Sequence, residues 1–321
     1  MSEHHTFHTG PDKPRLGVLV SHMRLEEKLI LEAARAKEIE VTPIFDRSLT
    51  IDLSAKTVES AGLNVDVVLD RGVVHSRAAY ILKALNRWDI PTINPPTATQ
   101  ICDDKALCSL ALEEAGLLTP RTVLAFSVDA AIQACEQIGY PAVLKPITGS
   151  WGRLLAKVNG PEQARVILEQ KEELGSYHHS IFYVQEYVEK PGRDIRVYVI
   201  GDRAIAASYR TSEHWITNAA RGAVSMKCEI TPEIEEVALR AKDAVGAILA
   251  GIDLMETPDG YSVIEVNTGA EFKGLMSTTD IDIAAEIIDE TMRVAKKVHD
   301  ARVGAQYVMS IDRHGRVETG D

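Results

Sequence analysis

Two carboxylates and an amide near the C-terminal end of the chain form the pattern with the clearest chemical meaning. Asp253 precedes Asp259-Gly260, a strong signal for a hairpin turn, and Glu265 and Asn267 follow it. On such a hairpin Asp253 and Glu265 can face each other, and Asn267 follows Glu265 on the same face, because side chains alternate along a strand. Such oxygen ligands suit Mg²⁺ that carries nucleotide phosphates; a solvated hairpin face is the alternative interpretation.

A lysine at the end of an apolar strand adds a second chemical element. Lys145 closes the run Ala142-Val143-Leu144, and a glycine-bearing turn over residues 149–155 leads into the next strand. Backbone N–H groups in such a turn could cover phosphates, although glycines also serve plain hairpins. The turn is neither a Walker A sequence nor a GxGxxG fingerprint, so by itself it is weak evidence.

Length and composition describe an ordinary globular chain. Its 321 residues, 45% of them hydrophobic, predict two or three packed units. The longest apolar run, residues 244–252, is shorter than the roughly 20 residues of a membrane-spanning helix, and no signal-peptide pattern begins the chain. We therefore expect a cytoplasmic protein with no membrane partner. Spacing without CxxC pairs predicts reduced, buried thiols at Cys102, Cys108, Cys135 and Cys228.

The net charge of −12 argues against a nucleic-acid partner, which would require a basic footprint. An acidic macromolecular partner would instead need a local basic patch on this chain. Four basic residues of the first block are the candidates for such a patch: Arg71, Arg77, Lys83 and Arg87.

Strands that alternate with amphipathic helices predict an α/β fold in three blocks. Residues 14–97 have the pattern of a small parallel-sheet domain with helices on its faces. Residues 98–189 contain Lys145 and the glycine-bearing turn, and residues 190–300 contain two predicted hairpins.

The two ends of the chain carry weaker patterns. Residues 1–13 lack apolar periodicity and are expected to be disordered. A closing amphipathic helix is predicted over residues 283–298, and a polar tail, 301–321, follows with only a possible short strand at 307–311.

The order of these groups along the chain resembles that of the ATP-grasp ligases. Residues 149–155, 185–196 and 214–222 are similar, more narrowly, to the RimK-related ligases of the LysX/ArgX type. The resemblance covers about residues 15–298. It implies an ATP-grasp fold, in which the N-terminal parallel-sheet domain is followed by two ATP-grasp subdomains that clasp ATP.

The resemblance also implies a role for each matching residue. Lys105 and Lys145 would contact the phosphates of ATP, residues 149–155 would form a flap over them, and Asp253, Glu265 and Asn267 would bind magnesium. Arg196 and Arg210 would act as catalytic cations. The residues implied for ATP are Lys105, Lys145, Gly149, Ser150, Trp151, Gly152, Arg153, Leu154, Leu155, Gln185, Glu186, Tyr187, Val188, Asp194, Arg196, Arg210 and Asn218.

The implied reaction joins a carboxylate to an amine through an acyl phosphate and uses ATP and Mg²⁺. Two Mg²⁺ ions are implied, and Mn²⁺ would be able to replace them. In this family the carboxylate is the C-terminal glutamate of a small acidic carrier protein, and the amine belongs to L-2-aminoadipate or L-glutamate. A homodimer or homotetramer is implied as well. A glutamate ligase for a ribosomal protein tail or a coenzyme is the alternative, and a regulator without chemistry is disfavoured by the presence of both lysines and all three metal ligands.

Sequence features leave the acceptor amino acid open. Residues 214–218 look like those of the aminoadipate users, whereas Gly274 stands where glutamate users also have glycine, and Leu275 replaces their aromatic residue. Both acceptors are retained as expectations. The candidate acceptor residues are Asn218, Arg221, Thr268, Gly269, Glu271, Gly274 and Leu275.

Overall fold

A computed structural model describes residues 14–149, 153–173, 180–217 and 222–314 of the chain. The chain forms two compact units. The first consists of residues 14–71, 81–93 and the C-terminal segment from residue 284, and the second of residues 72–80 and 94–283. The elements in chain order are β1 (Leu16–Val20), α1 (Leu25–Ala36), β2 (Val41–Phe45), β3 (Val67–Arg71), α2 (His75–Arg87), β4 (Thr92–Ile93), α3 (Pro96–Asp103), α4 (Lys105–Glu114), β5 (Thr122–Ala125), α5 (Val128–Ile138), β6 (Ala142–Lys145), β7 (Ala156–Val158), α6 (Pro161–Glu173), β8 (Phe182–Glu186), β9 (Arg193–Ile200), β10 (Arg203–Thr211), β11 (Val224–Lys227), α7 (Pro232–Ala244), β12 (Leu249–Thr257), β13 (Gly260–Asn267) and α8 (Ile283–His314).

The first unit contains the predicted parallel sheet, in the strand order β2-β1-β3-β4. All five residues of β1 and all five of β3 are buried, as expected for parallel strands that are covered on both faces. Arg71 at the end of β3 is buried too, and it contacts the carboxylates of Glu26 and Glu27. Its predicted place in an exposed basic patch is therefore wrong, because its charge is already balanced inside the unit.

Helix α8 runs well past its predicted end. The strand predicted at residues 307–311 is wrong, because the helix continues to His314. No proline interrupts residues 299–311, and the single glycine there, Gly304, weakens a helix without ending it.

The longer segment of the second unit, residues 94–283, begins with α3 and α4, and its described residues form two antiparallel sheets. Strands β5-β8-β6-β7 form the first sheet, with α5 and α6 packed against it. Local signals fix the helices of this region: the side chain of Asp104 caps the start of α4, Ser127 caps α5, and Gly116 follows α4 with φ +65°.

Strands β11-β10-β9-β12-β13 form the second sheet, and residues of α3, α4 and α7 share its hydrophobic core. The predicted hairpin of the metal-ligand candidates is confirmed. Strands β12 and β13 pair antiparallel, with Asp253 opposite Glu265 and a bulge directly after Asp253. Gly260, with φ +119°, follows the two-residue loop and supplies the backbone geometry that the turn needs.

Parallel pairing in the first unit and antiparallel pairing in the second confirm the predicted mixed α/β fold. The four cysteines are free and buried, as expected. Among the described residues, none of the helices combines the length and the apolar character needed to cross a bilayer.

Candidate active site

The carboxylate of Asp253 is the centre of a charged cluster on the second sheet. Asp253 lies on β12 between Glu265 of β13 and Arg196 of β9, which face it directly in the two ladders. Arg196 donates to it from both Nε and Nη2, the latter at 2.9 Å from Oδ2. Nη2 of Arg210, on β10, lies 3.0 Å from Oδ1. Burial would raise the pKa of Asp253, but the two guanidinium groups outweigh it and hold the pKa below its usual range.

A second carboxylate continues the cluster on the other side of Arg210. Nε of Arg210 donates to Oδ1 of Asp194 at 2.6 Å. The other oxygen of Asp194 accepts from the hydroxyl of Thr217 and lies 3.5 Å from Nζ of Lys190. Burial lowers the pKa of Lys190, and Asp194 counteracts part of that effect. The sequence had not indicated Lys190 or Thr217, because nothing in their spacing reveals a contact with Asp194.

The two predicted phosphate lysines lie next to the same hairpin. Lys105 begins α4, and its Nζ lies 3.5 Å from Oε1 of Glu265 and donates to the carbonyl of Gly149 at 2.6 Å. Its backbone N–H donates to the carbonyl of Ile147, so the start of α4 is tied to the segment between β6 and the flap. Lys145 ends β6 and is 9% exposed. Burial lowers its pKa to about 8, although the charge of Glu265 acts in the opposite direction.

The donor set fits a hard divalent cation. Asp253 and Glu265 supply carboxylate oxygens and Asn267 an amide oxygen, and Nδ2 of Asn267 is buried without a hydrogen-bond partner among the described residues. A carboxylate offers about four lone-pair sites, and Asp253 uses three of them for its guanidinium contacts. The arginines therefore do not exclude a metal ion. Among the described residues, no cluster of three His, Cys, Asp or Glu side chains offers another metal site.

The segment implied for adenine has its polar side chains already engaged. Nε2 of Gln185 donates to the hydroxyls of Thr122 and Tyr183, both at 2.9 Å, so this side chain points into the protein. The carboxylate of Glu186 accepts from the backbone of Arg121 at 2.8 Å. For both residues, contact of the side chain with a nucleotide would require these hydrogen bonds to break.

Aromatic and cationic groups surround Tyr187 in the same segment. Nζ of Lys157 lies 3.6 Å from the centre of the Tyr187 ring, and Trp215 meets that ring edge to face at 6.2 Å. Val188 is half-buried. The rings of Tyr187 and Trp215 offer apolar, planar surfaces of the kind that border a planar base, and the resemblance implies such a contact for residues 185–188.

The flap is described only at its two ends. Gly149 has φ +114° and Leu154 φ +56°, and both Arg153 and Leu154 are exposed, whereas Leu155 is half-buried. Five of the predicted site residues lie outside the described residues: Ser150, Trp151, Gly152, Asn218 and Arg221.

Five of the candidate acceptor residues lie in the segment that follows β13. Thr268 is buried, and Nε2 of His75 lies 3.5 Å from the position that a Cβ would take at Gly269. Gly274 and Glu271 are exposed. Leu275 is only 2% exposed, so it packs inside the unit and does not present an open contact surface.

Close backbone approach makes Gly251 of β12 sensitive to substitution. A Cβ at this position would lie 2.5 Å from Cβ of Ala270 and 3.1 Å from Nη1 of Arg196. We expect Gly251→Ala to displace both and to cost about 1–3 kcal/mol of stability, with a marked loss of turnover measured by ADP release. The control is Gly160→Ala, where a Cβ meets nothing within 4 Å. Equal behaviour of the two variants would contradict this prediction.

Comparison with protein-family models identifies two regions of the chain. Residues 16–101 match the LysX preATP-grasp domain, and residues 102–291 match the RimK-like ATP-grasp domain. Among solved structures, a RimK domain ATP-grasp protein from Sphaerobacter thermophilus aligns with a TM-score of 0.74 at 24% identity, over 86% of this chain and 98% of that one. The ATP-grasp ligase PsnB, complexed with minimal precursor, Mg and ADP, aligns with a TM-score of 0.65 at 21% identity, over 88% and 98%.

Curated relatives agree with this placement. The chain is 35% identical to the alpha-aminoadipate–LysW ligase LysX of Sulfolobus acidocaldarius, over 86% of this chain and all of that protein. It is 32% identical to the glutamate–LysW ligase ArgX of the same organism, over 85% and 96%. A tetrahydromethanopterin:alpha-L-glutamate ligase of Methanococcus maripaludis is 38% identical over 68% of this chain and 74% of that protein. The chain therefore belongs to the RimK-like ATP-grasp family of ligases.

Proposed function

We propose that the protein is an ATP-dependent ligase that joins the C-terminal glutamate side-chain carboxylate of a small acidic carrier protein to the α-amine of L-2-aminoadipate or L-glutamate. The observation that carries this proposal is the match to LysX along the whole length of that relative, including the N-terminal domain. The same relatives support a place in lysine or arginine biosynthesis, and we propose a cytoplasmic location.

The charge pattern of the site suits phosphoryl transfer to a carboxylate. Lys105 and Lys145 carry positive charge beside Glu265, and Arg196 and Arg210 carry it beside Asp253. A bound carboxylate and a nucleotide phosphate repel each other, so cations on both sides lower the cost of bringing them together. Magnesium held by Asp253, Glu265 and Asn267 would neutralise charge that builds on the phosphates.

The second step is attack of the amine on the acyl phosphate. As the carbonyl oxygen becomes an oxyanion, a fixed guanidinium within reach stabilises it by roughly 3 kcal/mol. Asp253 and Asp194 hold Arg210 in place. Burial lowers the pKa of Arg210, but these two carboxylates outweigh it and keep the pKa above its ordinary value. We assign Arg196 and Arg210 to this role. Phosphate then leaves and the amide remains. Before the amine attacks, the flap of residues 149–155 excludes water from the acyl phosphate.

The two antiparallel sheets of the second unit would hold ATP between them, with residues 98–189 and 190–300 as the two ATP-grasp subdomains. The solved PsnB complex contains Mg and ADP, and for this chain we propose ATP with two Mg²⁺ ions that Mn²⁺ can replace. A homodimer or homotetramer is the proposed assembly.

A glutamate ligase for a coenzyme or a ribosomal protein tail is the second candidate. The tetrahydromethanopterin ligase of Methanococcus maripaludis has a slightly higher sequence identity to this chain than LysX has, but its match covers only 68% of this chain. The N-terminal domain of the LysX type therefore favours the carrier protein.

The test is a product assay in which the protein is incubated with ATP, Mg²⁺ and a candidate carrier protein. L-2-Aminoadipate and L-glutamate are supplied in separate reactions, and the mass of the carrier is measured afterwards. We expect a mass increase equal to one amino acid less one water, with stoichiometric ADP. Modification of tetrahydromethanopterin or of a ribosomal protein tail in parallel reactions, with an unchanged carrier, would refute the carrier proposal.

A further inference from the structure

The side chain of Asn94, which directly follows β4, bonds to the backbone at the ends of β12 and β13. Its Oδ1 accepts from the N–H of Ile248 at 2.6 Å and from that of Leu249 at 2.9 Å. Its Nδ2 donates to the carbonyl of Leu249 at 2.7 Å and to that of Thr268 at 3.0 Å. Asn94 is 2% exposed. Both donors and two acceptor positions of the amide are thus used, and the opposite amide orientation would place oxygen against carbonyl oxygens.

These bonds take the place of the next ladder pair. The pairing of β12 with β13 ends at Gly251 opposite Asn267. Leu249, beyond that pair, directs both its N–H and its carbonyl to Asn94, and Thr268 directs its carbonyl to the same amide. The side-chain amide of Asn94 therefore connects the start of β12 to the residue after β13, where these two segments no longer bond to each other.

The position of Asn267 depends on the hydrogen bonds of Asn94 more than the positions of Asp253 and Glu265 do. Asp253 is held by Arg196 and Arg210, and Glu265 lies beside Lys105. The Nδ2 atom of Asn267, in contrast, has no partner among the described residues. The backbone on one side of Asn267 is fixed by the pair with Gly251, and on the other side by the bond from Asn94 to Thr268.

We infer that Asn94 is a positioning residue for the metal site: its amide fixes the end of β13, and through it the Asn267 ligand. The inference rests on the proposed function, because it takes Asn267 as a ligand of the nucleotide-bound metal. Replacing a group that does not touch the metal but orients one of its ligands typically weakens metal affinity by about 10–100-fold. Asn94 lies 155 residues from Leu249 in the chain, which is why no local sequence pattern indicates it.

The experiment measures Mn²⁺ binding by electron paramagnetic resonance in the presence of ADP, without carrier or amino acid, for wild type and Asn94→Asp. Aspartate keeps the acceptor toward Ile248 and Leu249 but sets an oxygen against the carbonyls of Leu249 and Thr268. We expect the dissociation constant for Mn²⁺ to rise about 10–100-fold, with a parallel rise in the Mg²⁺ concentration for half-maximal turnover. Asn94→Ser is measured as well, in case the aspartate variant does not fold.

Asn86→Ala is the matched control, because Nδ2 of Asn86 also bridges two groups, Ile90 O and Thr92 Oγ1, both at 3.0 Å and neither in the hairpin. It should lower the melting temperature without changing Mn²⁺ affinity. Folded Asn94 variants with wild-type Mn²⁺ affinity would overturn the inference, provided that Glu265→Gln weakens binding in the same assay. Wild-type affinity in Glu265→Gln would overturn the proposed metal site itself.

Discussion

Glu265→Gln is expected to lower the turnover of amide formation by roughly 10²–10³-fold at saturating ATP, because the change removes one of the proposed negative oxygen ligands of the metal that balances the charge of the phosphates. The side chain of Glu265 is 26% exposed and its ion-pair partner is Lys105 at 3.5 Å. Glutamine has nearly the same shape, so the fold should survive. Turnover is measured by ADP release, and folding by thermal unfolding.

The same hairpin offers a matched control for this prediction. Glu256 of β12 is 27% exposed and pairs with Arg193 at 2.6 Å, outside the charged cluster around Asp253. Glu256→Gln should lower stability by at most about 1 kcal/mol and leave turnover within about twofold of wild type. A Glu265→Gln enzyme as active as Glu256→Gln would show that the hairpin does not bind the catalytic metal.

Asp253 is a less suitable position for that test than the sequence alone indicates. From the sequence, Asp253 and Glu265 are equivalent ligands, and alanine at either is expected to leave the fold intact. In the structure, Asp253 balances Arg196 and Arg210, which are both largely buried. Removal of the carboxylate leaves two guanidinium groups without it, which typically costs about 3–5 kcal/mol for a buried pair. Loss of activity in Asp253→Ala would therefore combine unfolding with loss of a ligand.

The hairpin could be predicted because its turn and its strands have local signals. Asp259-Gly260 indicates the turn, and alternation marks the two strands. The pairing of Asp253 with Glu265 also depends on the bulge directly after Asp253, which shifts the register by one residue and which no local signal indicates. The parallel sheet of the first unit was also predictable from local signals. Strand β1 is a short apolar run, and the amphipathic helix α1 follows it. Between β2 and β3, where every residue is described, the structure has no α-helix.

The partners of the proposed metal ligands could not be predicted in the same way. Arg196 is 57 residues from Asp253, and their contact depends on the register between β9 and β12, for which no turn provides a signal. The inward direction of Gln185 depends equally on the hydroxyls of Thr122 and Tyr183. Residue types along the chain identify which groups are available for chemistry, whereas tertiary register decides which of them meet.

Lys145→Met is expected to weaken ATP binding while it stabilises the protein without ligand. Phosphate contacts from a charged donor are worth about 1.5–3 kcal/mol, so the Michaelis constant for ATP should rise roughly 10–100-fold, with a much smaller change for the carrier. Lys242→Met is the control, because Lys242 is also a buried lysine and pairs with Asp243 at 2.6 Å. This variant should leave the Michaelis constant for ATP unchanged.

The stability effect follows from the pKa of Lys145, which burial lowers from 10.5 to about 8. Below pH 8 the folded protein must hold a charge that the unfolded chain solvates better, a cost of up to about 3 kcal/mol. Because the unfolded state binds more protons between pH 8 and 10.5, the contribution of this lysine to stability rises with pH across that range. Methionine keeps the apolar stem, so urea unfolding should show Lys145→Met more stable than wild type at pH 7, with a gap that narrows by pH 10. A variant that is less stable than wild type at pH 7, with unchanged ATP affinity, would show that Lys145 is only a packed residue at the end of a strand.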